Sequence, residues 1–317
     1  IEEDEDKTPP GEKFFSTSPL PFDWLNHYEG SVKGKLDSVT SRVGSTHDLV
    51  FSVSLAQGKL GVEASAGQLN GGTFDTRFTL DNAVQPPRIE LTGNFDGVRG
   101  APDRNSFSRS GYVSLSSHGD SEAALAANLN GLIYLELGAG TLDYRNLRLL
   151  TASVANNFFE ILIPDQKKRQ PKLRCAATLM AFHDGLGITP YGYAARTKEA
   201  NLVGRIEVDL HKELLQLDFS SSNRKGLGFS VGSMFSNTVQ VEGPLTDPRI
   251  VPNARGLLWR GWAAVMTGGL SVVGESVLKR ALASDDPCAS VNRHIRKDLC
   301  KAGQPTASSP LVCPPSG

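Results

Sequence analysis

The sequence is short of most things that announce a chemistry. It holds no Gly-x-x-x-x-Gly-Lys phosphate loop, no Gly-x-Gly-x-x-Gly and no His-Glu-x-x-His, so nucleotide, dinucleotide and zinc-protease chemistry have no local motif to stand on. Cysteine is scarce, at 175, 288, 300 and 313 only. The absence of a Cys-x-x-Cys pair argues against a zinc ribbon or a thioredoxin-type site. Four cysteines allow three full pairings, and spacing alone does not choose among them. Charge of one sign is also missing: Lys and Arg number 33 against 34 Asp and Glu, for a net charge of −1. No basic cluster interleaves with aromatics, so nucleic acid is not an expected partner. Lys167-Lys168-Arg169 stands isolated between Pro164 and Pro171 and reads as a solvated loop. No apolar run is long enough to cross a bilayer, and no signal peptide is visible. The first residue is not methionine, so a processed or trimmed piece of a longer chain is expected. Hydrophobic residues make up 39%, below the globular average, which suits a thin or open sheet with little interior per residue.

What the sequence does have is alternation. Around residues 201–248, Ile206, Val208 and Leu210 alternate with Glu207, Asp209 and His211, and after a polar break Leu215, Leu217 and Phe219 alternate with Gln216, Asp218 and Ser220. This is the pattern of an antiparallel hairpin with one wet face. Gly243-Pro244 and Asp247-Pro248 then stop the sheet, because proline cannot donate to a ladder. The same period runs through Leu49, Phe51, Val53 and Leu55; through Leu60, Val62 and Ala64; through Phe74, Phe78 and Leu80; and through Ile89, Leu91 and Phe95. Gln57-Gly58 and Gly71-Gly72 mark turns between them. Segments of this length, without helical periods between them, predict an all-β array.

Four divisions follow. Residues 1–18 begin Ile-Glu-Glu-Asp-Glu-Asp and are read as an acidic, proline-rich linker. Residues 19–252 form the β domain, with a helical turn near 22–28, a stretch at 123–130 that has a helical alternative, and a possible helix over 154–163. Residues 253–283 form the C-terminal helix, its apolar stripe including Leu258, Trp262, Val265, Met266, Val277 and Ala281. Residues 284–317, with three of the cysteines, are expected to be a loose tail.

The order of these signals carries a resemblance. Val203-x-Arg205-Ile-Glu-Val-Asp-Leu, then Val239-Gln-Val-Glu-Gly-Pro-Leu-Thr-Asp-Pro-Arg-Ile, together with Leu69-Asn-Gly-Gly-Thr-Phe, Phe182-His-Asp-Gly, Pro19-Leu-Pro-Phe-Asp-Trp-Leu and Asp286-Pro-Cys288, resembles the C-terminal region of the AsmA family. The resemblance covers roughly residues 19–290. Those are envelope proteins of Gram-negative bacteria, related in architecture to bridge-like lipid-transfer proteins. It implies a curved antiparallel β-sheet that forms an open groove, with a C-terminal capping helix. It further implies a non-enzymatic module that binds or transfers phospholipid or another acyl-chain lipid in the periplasm, supporting outer-membrane homeostasis. The inner-membrane anchor of such a protein would lie outside this chain. Family sequences often carry a cysteine after the last helix, which implies a Cys175–Cys288 bridge and leaves Cys300 and Cys313 to pair. The groove lining would be Phe51, Val53, Leu55, Leu60, Phe74, Phe78, Ile206, Val208, Leu210, Leu215 and Leu217. Alternation alone suits a β-sandwich equally well; only the resemblance favours the trough.

Catalytic readings are weaker. Gly228-Phe-Ser230-Val-Gly232 matches a nucleophile elbow, with Asp247 and His294 following in hydrolase order, but an elbow needs a helix after the serine and a strand follows instead. A serine hydrolase using Ser230 is the remote alternative. His183-Asp184 reads as a turn, not a metal site. Glu207 and Asp209, like Asp75 and Arg77, sit on a solvated strand face. No catalytic residue, metal or cofactor is therefore expected. A further alternative is an assembly module that docks another envelope protein through a sheet edge.

Overall fold

The alternating segments become consecutive strands of one sheet. The computed structural model describes residues 13–41, 44–99, 107–141, 172–198, 200–223, 238–251 and 270–301. Its strands are β1 (Gly30–Ser41), β2 (Gly44–Ala56), β3 (Lys59–Leu69), β4 (Gly72–Asp81), β5 (Arg88–Val98), β6 (Arg109–His118), β7 (Asn130–Leu137) and β8 (Gly140–Thr141). They continue as β9 (Lys172–His183), β10 (Leu186–Ile188), β11 (Tyr193–Thr197), β12 (Ala200–Asp209), β13 (Leu214–Asn223), β14 (Thr238–Pro244) and β15 (Arg249–Val251). All pairings are antiparallel, and the order follows the sequence except that β8, β10 and β11 are short pieces flanking β9 and β12. Among the described residues the two-sheet sandwich is not formed: the fifteen strands belong to a single sheet.

Turn chemistry fixes the register. Gln57-Gly58, Asn70-Gly71 and Asp184-Gly185 all have positive φ at both positions, the backbone that a two-residue hairpin with right-handed strand twist requires. Register then decides which side chains share a face, since a slip of one residue would exchange the two faces entirely.

Three helices complete the described chain: α1 (Glu122–Ala127), α2 (Leu270–Ala283) and α3 (Pro287–Lys301). At α1 the alanine-rich stretch takes its helical alternative, because Ser121 caps it through the Ala124 N–H and alanine favours helix over strand. The tail expected to be loose beyond residue 284 is instead helical as far as Lys301. Val291, Ile295 and Leu299 recur at helical spacing and are buried, a stripe hidden in the sequence by the charged residues around it. Residues 255–269 of the predicted helix, the 154–163 segment and Ser230 lie outside the described residues.

The expected C-terminal helix is present as a helix pair, described from residue 270 onward. It lies on one face of the sheet centre, where Val277, Ala281, Leu282, Val291, Ile295 and Leu299 form a core with Tyr134, Leu179, Tyr191, Ala194 and Val203. Polar contacts seat it further. The Tyr134 hydroxyl donates to Glu136 Oε2 at 2.7 Å, and Arg296 donates to the same oxygen at 2.9 Å. Tyr191 donates to Asp298, and Asn201 to the Ser284 carbonyl at 3.0 Å. Burial, with the Glu136 carboxylate beside it, pushes the Tyr134 phenol well above its ordinary range. Cys175 on β9 and Cys288 on α3 form a disulfide across a separation of 113 residues, the pairing that the family resemblance implies. Cys300 is also disulfide-bonded.

Candidate functional site: the uncovered apolar face

Reading partners across the ladder separates the two faces. On one, Val32 faces Val53, then Val62, Phe78, Leu91, Leu115, Gly131, Phe182, Gly187, Val208, Leu215 and Gly243 in succession. Every strand of the main path from β1 to β14 contributes one member, and none is polar. Neighbouring rows are similar: Leu55, Leu60, Leu80 and Ile89 pair in turn, as do Ile206, Leu217 and Val241. The opposite face reads Lys33, Ser52, Glu63, Arg77, Thr92 and Ser114, then Leu132, Ala181 and Ile188, then Glu207, Gln216, Glu242 and Arg249. This outer face is polar at both sides and apolar only in the middle, where α2 and α3 cover it.

The sequence-predicted lining therefore lands on one face. Phe51, Val53 and Leu55 on β2, Leu60 on β3, Phe74 and Phe78 on β4, Ile206 and Val208 on β12, and Leu215 and Leu217 on β13 all project to the side away from the helices. All are half-buried; the buried core cluster contains none of them. Leu210 differs, because β12 ends at Asp209 and Leu210 lies in the following turn. It still meets the apolar face, for a reason that reveals the curvature.

Leu210 lines one cavity of about 550 Å³ together with Phe78, Ile89, Leu91 and Leu115. In sheet order β4 and β12 are six steps apart, about 29 Å in a flat sheet at about 4.8 Å per step. Side chains from both reach one cavity only because the sheet curls toward its apolar face. That face is the inside of a trough, as an unequal sheet with one wet side allows.

Aromatic rings lie down on glycines along this wall. A side chain at Gly34 would collide with the Phe51 ring, at Gly111 with Phe95, at Gly187 with Phe182 and at Gly204 with Tyr193. In each pair the glycine belongs to the neighbouring strand, so the ring covers bare backbone instead of standing upright. The wall is thereby smooth, and its interior is left unfilled by its own side chains.

At one end of the trough lies a segment of which residues 14–18 were expected to be linker and the rest part of the β domain. Residues 14–26 run across the strand ends as a strap. Glu213, in the β12–β13 turn, accepts from the Phe14 and Phe15 N–H groups at 2.7 and 3.3 Å. Glu122 of α1 accepts from the Ser16 N–H at 3.0 Å. The Leu20 N–H donates to the Asp120 carbonyl at 2.7 Å, and Asn82 donates to the Phe22 carbonyl at 3.3 Å. Leu25, fully buried, anchors the 3-10 turn Asp23–Asn26 that leads into β1. Sequence reading missed Phe14 and Phe15; an adjacent aromatic pair in a polar segment was the available signal. It also missed Thr178 and Tyr193, cross-strand partners on the apolar face. Their hydroxyl oxygens are buried without a partner, and burial raises the Tyr193 phenol far above its ordinary range.

Of the catalytic candidates, Ser230 lies outside the described residues, and Asp247 and His294 are each engaged locally. Asp247 is held by Arg249 at 2.6 Å, and His294 Nδ1 lies 3.0 Å from the Ser290 carbonyl on its own helix. His183 and Asp184 are an exposed turn pair 3.7 Å apart. The Asn130 side chain, donating to Asp184, holds that carboxyl below its ordinary value. Asp209 is buried and salt-bridged to Lys212 at 3.0 Å, while Glu63 and Arg77 form an exposed pair at 2.8 Å of little energetic weight. Cys175, Asp286 and Cys288 come within metal-ligand distance of one another, but the two sulfurs are bonded to each other and offer no thiolate. Among the described residues, no helix is long and apolar enough to cross a membrane. Compared with known proteins, the chain matches no family model, no curated protein and no solved structure.

Proposed function

We propose that the chain is a non-enzymatic, AsmA-like lipid-binding and lipid-transfer module whose trough holds acyl chains against the apolar wall. The observation that carries this reading is the apolar row that starts at the exposed Val32 on the sheet edge and continues through the half-buried Val53, Val62, Phe78, Leu91 and Leu115 to Val208 and Leu215, curled inward and outside the buried core. A contiguous apolar surface of that extent calls for an occupant. Acyl chains suit a smooth, featureless wall, since each buried methylene contributes about 0.8 kcal/mol without needing a directional partner. The polar outer face keeps the same sheet wetted. Placement in the periplasm, an inner-membrane anchor elsewhere in the protein, and a role in moving phospholipid toward the outer membrane rest on the family resemblance.

A second reading has one observation in its favour. β1 is an edge strand of twelve residues, with Val32 and Leu36 among the exposed large apolar side chains. A long edge of this kind can add a strand from another envelope protein.

The test of the first reading is lipid content together with stability. Phospholipid should co-purify with the chain and be released on solvent extraction. Val208→Asp and Leu217→Asp each place a carboxylate on the wall, which costs several kcal/mol in contact with acyl chains. Both variants should lose lipid while keeping a cooperative melt close to that of the unmodified protein, because the ladder does not depend on those side chains. An unmodified protein that never carries lipid, with both variants unfolded, would show that the face packs against something else.

A further inference from the structure

The cavity beneath the strap has a chemistry of its own. Phe14 and Phe15 line it from the strap, Phe78, Leu91 and Leu115 from the sheet, and Leu210 from the β12–β13 turn. Of its three polar neighbours, Ser116, Ser117 and Glu122, two are committed: the Ser117 hydroxyl donates to the Leu125 carbonyl at 2.6 Å, and Glu122 holds the Ser16 N–H. No lysine or arginine lines it and the one charged neighbour, Glu122, is an acid, so a phosphate headgroup would find no counter-charge there. The floor residues belong to the same row as Val53 and Val208, so the cavity is continuous with the trough. The strap is tied down, to the β12–β13 turn through Glu213 and to α1 through Glu122.

Resting on the lipid-binding reading above, we propose that this cavity is the blind end of the trough and receives the methyl terminus of an acyl chain. The lipid then lies in one direction only, tail toward the strap and headgroup away from it. Length follows as well as direction. A chain that runs into a closed end is measured by it, so the site discriminates acyl length, while the headgroup stays outside its reach.

The experiment uses two diacyl phosphatidylglycerol probes, one with a photoactivatable diazirine at the methyl end of an acyl chain and one with it next to the ester. Each is loaded onto the intact chain from vesicles, irradiated, and mapped by peptide mass spectrometry. The methyl-end probe should label the peptides carrying Phe14, Phe15, Leu115 and Leu210, and the ester-proximal probe should label none of them. In parallel, Leu115→Trp fills the cavity and should lower the ratio of long-chain to short-chain lipid retained by about tenfold, as expected when roughly two methylenes lose their place. Binding of the short-chain lipid is the control that this variant is folded. Equal labelling of the strap by both probes, or a Leu115→Trp protein with an unchanged length ratio, overturns the blind-end assignment while leaving lipid binding intact. Failure of the unmodified chain to take up either probe overturns both readings.

Discussion

The N-terminal wing of the sheet, β1 to β6, and its centre, β7 to β12, are built from the same alternating strands and end up as different materials. In the centre both faces of β7 and β9 are apolar; Leu132, Tyr134 and Leu179 face the helices while Ile133, Met180 and Phe182 face the trough. There α2 and α3 make a conventional core in which Val291, Ile295 and Ala281 are fully buried. In the wing the outer face is Lys, Ser, Glu, Arg and Thr, no described helix packs on it, and the apolar side is left largely half-buried. The comparison teaches that alternation alone produces a wall, and that a core appears only where the alternation fails. Stability and binding surface are thus assigned to different parts of one sheet.

That division can be broken at its strongest point first. Ile295→Ala should cost about 2–5 kcal/mol, as for other buried large-to-small changes. Val62→Ala, a truncation in the wing, should cost about 1 kcal/mol or less because the side chain is never fully removed from water. Urea denaturation of the two variants measures both, and equal costs would mean that the wing is covered in solution. Next in size is the disulfide. A Cys175→Ala, Cys288→Ala double variant should lose roughly 2–4 kcal/mol. Hydrogen exchange should quicken in α3 and β9 and stay unchanged in β2 to β4, which do not touch the helices.

The smallest effect sharpens the contrast on the outer face. Glu207 has its pKa raised, by burial first and then by the Asp218 carboxylate, with Arg205 opposing. The folded state therefore holds this proton more tightly than the unfolded chain. Stability falls as pH rises from the ordinary glutamate range through the raised folded value. Glu207→Gln should raise the melting temperature slightly at neutral pH, and the gain should vanish once the pH drops below the ordinary glutamate value. Thermal melts of both proteins across the acidic range test the sign.

Much of this was legible because a period of two is a local property. The hairpin with Ile206 opposite Leu217 and Val208 opposite Leu215 needs only its own residues and its turn to be read. That Phe51 and Phe78 fall on one face of the sheet was legible for the same reason. What was not legible depended on contacts far apart in the chain. Phe14 is positioned by Glu213, and nothing near residue 14 says so. The seat of the helices was written more faintly, in the unbroken apolar runs Leu132-Ile-Tyr-Leu135 and Leu179-Met-Ala-Phe182. Runs of that kind mark strands buried on both faces, but they do not say which element covers the second face.

The order of the strands has a consequence for how such an object is assembled. From β1 to β7 each strand is bonded to its neighbours in sequence, so the wing is close to a one-dimensional array whose stability is a sum over adjacent pairs. Each hairpin can form from local contacts, and the growing edge offers the next strand its template. Ties between distant parts of the chain come on top of this array: the Glu213 clasp reaches back 199 residues, the Arg296–Glu136 pair 160 and the disulfide 113. They convert a ribbon into a curled vessel, and only after the strands they join have been made. A hairpin added to the wing would lengthen the wall by two strands without redrawing its cross-section.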